Sequence, residues 1–490
     1  MTSLWLDRAR PVRPALDGET TCDVVVVGAG ITGLTTAVRM AGAGLSVVVL
    51  EGRTAGAATT GNTTAKVSLL QGTKLRRIRR AHPLALVESY VEANRRGQEW
   101  LVDFCRSHGV LVEEQPAVTY ATTRVGELRV RAELEVARQV GLAAEWTDDP
   151  GLPFAVRGAV RLADQFQLHP VELVDALADD LETGGGRLFE HSRVHDVSRT
   201  SSGVRAETGT GTVTARHLVV ATSMPVLDRG AFFARQVPQR SYAAALRSGW
   251  VPDAMYLSAD SPSRSIRRAA GPDGPLLLVG GHGHVTGRVP SEAQHLADLL
   301  DWARSELGGT EVTHTWSAQD HGPAAELPYV GPLLPGDDQL LVATGFDKWG
   351  FTNAPAAAGL LTARVTGRAR DAGALESWSP WEATGLPKAL AANGSVGLRM
   401  AQGWLRAYTR TDACPAEGSG VVGHDAGRPV ATCTVDGVTH RVSAVCPHLY
   451  GVVSWNDAEK SWDCPLHGSR FAPDGSVLEG PTTEPLAPRA

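Results

Sequence analysis

Residues 22–51 read CDVVVVGAGITGLTTAVRMAGAGLSVVVLE, and this stretch decides the fold of the front of the chain. CDVVVVG (22–28) is an apolar run of strand length, ITGLTTAVRMAGAG is a helical stretch of small residues, and LSVVVLE (45–51) is a second strand-length run. The spacing predicts a βαβ unit. Between strand and helix stands Gly28-Ala29-Gly30-Ile31-Thr32-Gly33, a G-x-G-x-x-G pattern, with Glu51 ending the next strand. Gly28 permits the tight turn, Gly30 lets the backbone approach a pyrophosphate at the helix N-terminus, and Gly33 lets the helix pack close to the sheet. Glu51 is placed to accept hydrogen bonds from ribose hydroxyls, and its charge disfavours a 2′-phosphate even with Arg53 nearby. The pattern is weak alone in a chain with 53 glycines, but its strand–helix setting predicts a bound dinucleotide. It does not separate NAD from FAD. No second copy occurs, so one dinucleotide is expected.

The whole chain has 490 residues, more than one hydrophobic core usually serves, so two or three domains are expected. Apolar residues make up 43% and charged residues 20%, an ordinary globular balance. A formal net charge of -6 and a pI near 6.2 leave no electrostatic footprint for nucleic acid. No apolar run approaches the length of a membrane span, and the basic N-terminus lacks the apolar segment of an export signal. The six cysteines are too sparse for a disulfide scaffold. A cytoplasmic small-molecule enzyme is the expectation.

Further along, helical patterns are expected over about 74–108, about 124–140 and 168–186, and ARHLVVATSMP (215–225) reads as a buried strand. QLLVATGF near 340 is another strand, ending in a glycine-containing loop and then in the helix PAAAGLLTARV. Pro355 is expected in the first turn of that helix, with Asn353 or Thr352 as its cap. Its N-terminus, near Ala354, would carry partial positive charge. Residues 371–408 read as a linker containing a short amphipathic helix, and 409–490 as a small antiparallel domain with turns at Asp436-Gly437 and Asp474-Gly475.

Four segments carry a specific resemblance: GNTTAKVSLLQG (61–72), LLLVGGHGHVTG (276–287), WSAQDHGPAAELPYVGPL (316–333) and ATGFDKWGFTNAPAAAGLL (343–361). They resemble the FAD-dependent oxidoreductases of the D-amino-acid, glycine and sarcosine oxidase class, over most of residues 20–370. The resemblance implies that the dinucleotide is FAD. It implies a Rossmann-like α/β FAD-binding domain with an interleaved mixed-sheet substrate subdomain at about 71–150 and 222–320. It also implies that Thr63, Thr64, Ala65 and Lys66 lie near the flavin ring, with the loop Gly345 to Asn353, including Trp349, Gly350 and Thr352, closing the other side. Lys66, His284 and His321 are acid/base candidates, with His282 beside them.

The back of the chain holds Cys446-Pro447-His448 and Cys464-Pro465-Leu466-His467, a C-x-H-x15-C-x-x-H spacing. Structural zinc sites commonly segregate Cys-x2-4-Cys from His-x3-5-His. Here each loop mixes one Cys with one His, as a Rieske [2Fe-2S] centre demands, where two histidines replace two cysteines on one iron. The spacing, the Pro after each Cys and the following HGSRF resemble the Rieske family, making Cys446, His448, Cys464 and His467 the expected ligands. High-potential members carry an extra cysteine in each loop, joined as a disulfide; the matching positions here are Gly451 and Leu466. Ser469 remains as a donor to cluster sulfur, whereas Phe471 stands where high-potential members have a tyrosine. A potential below the top of the Rieske range is therefore expected.

A two-electron flavin fused to a one-electron cluster forms an internal relay. The expected function is a dehydrogenase acting on a C–N bond of an amine or amino acid, with electrons leaving through the cluster to an acceptor such as a ferredoxin. The alternatives are a ferredoxin-fed FAD reductase and an electron-transfer flavoprotein without its own small-molecule substrate. A mononuclear-iron oxygenase is disfavoured, because little chain follows the cluster loops and His191 and His195 read as structural.

Overall fold

The computed structural model describes residues 1–201, 203–368, 385–409 and 414–489. The βαβ unit forms where expected: Gly18–Val27, the helix Ile31–Gly42, and Val47–Leu50. Val24 to Val27 pairs in parallel with Val47–Leu50 on one side and with Gly211–Val220 on the other. A strand flanked this way and covered on both faces is served by an unbroken β-branched run, and all four valines are buried. Each such side chain contributes roughly 1.5–3 kcal/mol by leaving water.

This sheet has eight strands, with Arg187–Phe189 at one edge and the hairpin Asp196–Thr200/Gly203–Glu207 at the other. Gly211–Val220 is shared: its first half pairs with the hairpin, and Leu218 to Val220 pairs in parallel with Leu340–Thr344. The carboxyl ends of these parallel strands open on one side of the sheet, where open α/β folds place their ligands.

A second eight-stranded sheet runs in the order Gly309–Pro323, Gln236–Ser248, Leu276–Val285, Arg264–Ala269, Met255–Ser258, Ala117–Ala121, Gly158–Leu162 and Glu145–Thr147. It is antiparallel apart from the Met255–Ser258/Ala117–Ala121 pair. The helices Lys74–Ala81, Leu84–Ser107, Arg124–Gln139 and Pro170–Thr183 occupy the expected spans.

Two expectations are corrected. The last helix of the FAD-binding part is Gly350–Val365, so it begins before Ala354 and holds Pro355 in its interior. Neither Thr352 nor Asn353 caps it. Both are drawn into the helix by buried contacts: Gln71 Nε2 donates to Thr352 Oγ1 at 3.1 Å, and Asn94 Nδ2 donates to Asn353 Oδ1 at 3.1 Å. Those tertiary bonds outweigh the preference of proline for a first turn. The helix expected in the 371–408 linker is not short: Leu386–Thr409 spans 24 residues, while linker residues 371–384 lie outside the described residues. Its Ala407, with Val396, Met400 and Trp404, packs into the core of the C-terminal domain. Gly394, Gly397 and Gly403 within the span hid this length, since glycine disfavours an isolated helix, and the helix is held by a partner distant in sequence.

The C-terminal domain has two antiparallel sheets. One joins Gly420–Asp425, Arg428–Val435 and Val438–Ser443, with the Asp436-Gly437 turn at φ 53° and 74°. The other joins Ser454–Asn456, Ser461–Asp463, Arg470–Phe471 and Val477–Glu479. Among the described residues no helix is long and apolar enough to cross a membrane.

Candidate functional site

At the nucleotide loop, Gly28 has φ 105°, and a Cβ there would lie 2.8 Å from the Ala221 carbonyl oxygen. A Cβ on Gly33 would fall 1.8 Å from the Gly28 oxygen, so the helix rests directly on the loop. Gly30 supplies no side-chain cap of its own, and the Ile31 N–H of the first turn donates to Thr60 Oγ1 at 3.0 Å, which ties Thr60 to the helix N-terminus where an anion would sit. Glu51 accepts from the Ala29 N–H at 2.8 Å and the Arg53 N–H at 2.9 Å, which orients its carboxylate beside the loop.

From this loop a cavity of about 850 Å³ extends between the two large sheets. Gly28, Gly30, Glu51, Thr63, Thr64, Lys66, Gly345, Trp349 and Gly350 all line it. Gly33 and Thr352 stand behind the wall, where the first allows close packing and the second, buried, anchors Gln71. The second helix N-terminus, at Trp349, likewise has no side-chain cap. The preceding Asp347 and Lys348 adopt φ of 47° and 75°, unfavourable for residues with a Cβ. Ion pairs hold them there. Lys74 Nζ lies 2.7 Å from Asp347, Arg77 bridges Asp347 and Glu326, and Lys348 Nζ lies 3.0 Å from Asp320. Burial would raise the Asp347 carboxyl, but Lys74 and Arg77 outweigh it and hold the group far below the usual carboxylate range.

The three acid/base candidates separate. Lys66 lines the cavity and donates from Nζ to the Tyr256 carbonyl at 2.6 Å and to Ser265 Oγ at 2.8 Å. Desolvation, reinforced by Arg267, pushes its amine well below the ordinary lysine value. His321 also lines the cavity; its Nδ1 meets Ser223 Oγ at 3.0 Å, and burial lowers it to about 4. His284 does not line it. It bonds the Tyr242 hydroxyl at 3.1 Å, stacks on that ring, and packs tilted against His295 with ring centroids 4.6 Å apart. His282, with its ring 5.9 Å from His295, belongs to the same group.

The cavity fits a dinucleotide. Two helix N-termini whose N-cap residues, Gly30 and Trp349, make no side-chain cap border it, and the buried atoms His321 Nε2 and Asp320 Oδ2 find no partner in the protein.

The cluster loops are built alike. Tyr450 N–H bonds the Cys446 oxygen at 3.1 Å, and Gly468 N–H bonds the Cys464 oxygen at 3.1 Å. This folds each Cys and His of a loop to one side. The donors then sort by type: the Cys446 and Cys464 thiols are close enough to perturb each other, while the His448 and His467 rings lie 5.1 Å apart at 88°. No three Cys, His, Asp or Glu side chains converge to hold a single ion among the described residues. Paired thiols and paired imidazoles suit a binuclear cluster with two protein ligands on each iron. The Ser469 hydroxyl is close enough to help lower the Cys446 thiol, and its Oγ accepts the Thr482 N–H at 3.3 Å; Phe471 is buried. All described cysteines are free, and a Cβ on Gly451 would lie 2.6 Å from Leu466 Cδ1, so the two bridge positions of high-potential relatives face each other here as glycine and leucine.

Several residues without a sequence signal join the halves. His448 Nε2 lies 2.8 Å from Asp228 Oδ1, and the Phe233 ring stands 4.9 Å from both His448 and His467. Gln319, a cavity residue, donates to the Gly468 oxygen at 2.9 Å. Buried Arg240 and Arg470 clasp Glu459, and Arg470 also bonds Asp463 at 3.0 Å and Glu479 at 2.9 Å. Glu479 and Gly480 complete the cavity wall from the C-terminal side.

Comparison with known proteins agrees with both halves. The FAD dependent oxidoreductase family model matches residues 23–364, and the Rieske [2Fe-2S] domain model matches 411–488. A putative Rieske 2Fe-2S iron-sulfur protein of Bacillus subtilis, YhfW, is 32% identical over 488 residues, covering 97% of this chain and 95% of that protein. Glycine oxidase from Geobacillus kaustophilus superposes with a TM-score of 0.61 at 20% identity, covering 71% of this chain and 95% of its own. L-proline dehydrogenase from P. horikoshii gives 0.59 at 16%, covering 75% and 98%. At these identities the solved structures show the shared fold.

Proposed function

The chain belongs to the FAD dependent oxidoreductase family and carries a Rieske [2Fe-2S] domain, and from that premise we propose that it oxidises a C–N bond of an amine or amino acid and passes the electrons singly to an external acceptor. FAD supplies a two-electron acceptor and the [2Fe-2S] cluster a one-electron carrier when bound. The observation that carries the relay is the orientation of the cluster loops. His448 and His467 face the FAD-binding part, against Asp228 and Phe233, and the same chain segment forms the cavity wall at Ala221 to Val226.

In this reading the helix N-terminus at Gly30 holds the pyrophosphate and Glu51 the ribose. Thr63, Thr64, Trp349 and Gly350 border the ring, and Cys446, Cys464, His448 and His467 hold the cluster. Lys66 Nζ is the proton acceptor for a substrate ammonium. As a neutral amine it has two N–H bonds, both spent on Tyr256 and Ser265, so its lone pair is left to take a proton. An amine substrate fits this chemistry, and glycine oxidase and L-proline dehydrogenase, whose fold the chain shares, are named for amino acids.

Anaerobic stopped-flow mixing with a panel of amines and amino acids tests the proposal. Flavin bleaching is expected first, with cluster absorbance following. Bleaching only by substrates without nitrogen refutes the substrate class. Cluster reduction preceding flavin reduction, with reduced ferredoxin as donor, reverses the direction of flow.

A further inference from the structure

We propose that Asp228 is a positioning residue for the cluster: it holds the His448 ring through Nε2–H and lowers the cluster's reduction potential from across the domain boundary. The inference rests on the reading of His448 as a cluster ligand. It adds a residue that lies 220 positions away in sequence and outside the cluster domain.

The bond is 2.8 Å long, from a ring that is 4% exposed to a carboxylate that is 54% exposed. The imidazole is therefore fixed inside the interface while its partner keeps contact with water. With Nε2 engaged, Nδ1 is the ring nitrogen left for iron. A metal-bound histidine whose second N–H donates to a carboxylate is fixed in tautomer and orientation and is made more electron-rich. An electron-rich ligand favours the oxidised iron, so the bond lowers the potential.

Two further contacts show a built cap rather than a chance approach. Phe233 packs edge-to-face with both imidazoles, its ring centroid 4.9 Å from each. The turn Phe232–Arg235 that carries it is pinned from the other side, where Asn393 Nδ2 donates to the Ala234 oxygen at 2.7 Å. Asp228 supplies the one carboxylate seen at the His448 ring among the described residues, and Phe233 contributes shape without charge.

Electron paramagnetic resonance-monitored redox titration of the full-length holoprotein tests this. Asp228→Asn and Asp228→Ala are expected to raise the cluster midpoint potential, with Asp228→Glu nearer the wild type and the flavin potential unmoved. The Asn variant keeps the side-chain shape, so it decides the question if the Ala variant fails to retain its cluster. A cluster potential unchanged or lowered in Asp228→Asn overturns the proposal, as does an equal shift at the flavin. A wild-type protein lacking a Rieske-type signal overturns the ligand reading beneath it, an outcome distinct from an unchanged potential.

Discussion

Replacing Glu459 with alanine strips the interface between the second large sheet and the cluster domain of its central anion. Glu459 accepts from Arg240 Nε and Nη2, from Ser317 Oγ and from Arg470 Nη2 at 2.7 Å. Burial would raise its carboxyl, but Arg240 and Arg470 prevail and hold it far below the usual glutamate range. The consequences of removing it are unequal. Arg470 keeps Asp463 and Glu479, whereas Arg240, only 2% exposed, keeps Ser317 and a 3.8 Å approach to Glu479. The variant thus strands one buried guanidinium, a loss of about 3–5 kcal/mol by the usual cost of breaking a buried pair. Urea unfolding of the holoprotein, followed by a signal from each cofactor, should show a lower midpoint. The double variant Arg240→Met/Glu459→Leu should recover most of the loss, because it leaves no unpaired charge. A Glu459→Ala loss under about 1 kcal/mol, or a double variant as unstable as the single one, refutes the reasoning. The pH sign follows from the depressed folded-state value: this stability is present above the ordinary glutamate range and is lost as the pH falls through the lowered one.

Other predictions follow from single contacts. Ser469→Ala removes the hydroxyl that stands beside Cys446 as a donor to cluster sulfur and should lower the cluster potential, read by the same redox titration; an unchanged value denies Ser469 that role. Gly33→Ala places a Cβ 1.8 Å from the Gly28 oxygen and should abolish flavin retention, measured by the flavin-to-protein absorbance ratio. Lys66→Met should slow flavin reduction by roughly 10²–10⁴-fold if Nζ takes a proton in the reaction, without changing flavin content. Glu292 is buried beside Asp463, Asp457 and Glu459, and burial first, then those charges, raise it to about 8. A raised acid favours the folded state only while protonated. Stability should therefore fall as the pH rises from the ordinary glutamate range through about 8, by at most about 1.4 kcal/mol per pH unit, and thermal melts of Glu292→Gln should show a flatter profile.

The two cofactor motifs were legible because each is local. A strand–glycine loop–helix and a C-x-H or C-x-x-H turn confine their groups within a few bonds, so residue order nearly specifies geometry. The same locality explains the miss at Gly350–Val365: proline rules place a helix start by neighbours alone, whereas Asn94 and Gln71, far away in sequence, hold Asn353 and Thr352 in helical conformation. Among His284, His321 and Lys66 no pattern distinguished cavity from core. Two alternate residues of one strand, His282 and His284, point into a histidine–tyrosine cluster, and only the placement of Tyr242 shows that His284 is screened from the cavity.

By itself, the sequence determined the βαβ dinucleotide loop, the Cys/His cluster loops and the loss of the bridging cysteines at Gly451 and Leu466. Tertiary structure alone decided how the halves meet. Asp228 and Phe233 reach the cluster histidines, Gln319 reaches Gly468, and Arg240 reaches Glu459, all between residues at least 149 positions apart in sequence. Charge and hydrogen-bond partners set so far apart leave no periodicity, since their proximity is produced by sheet packing rather than by chain order.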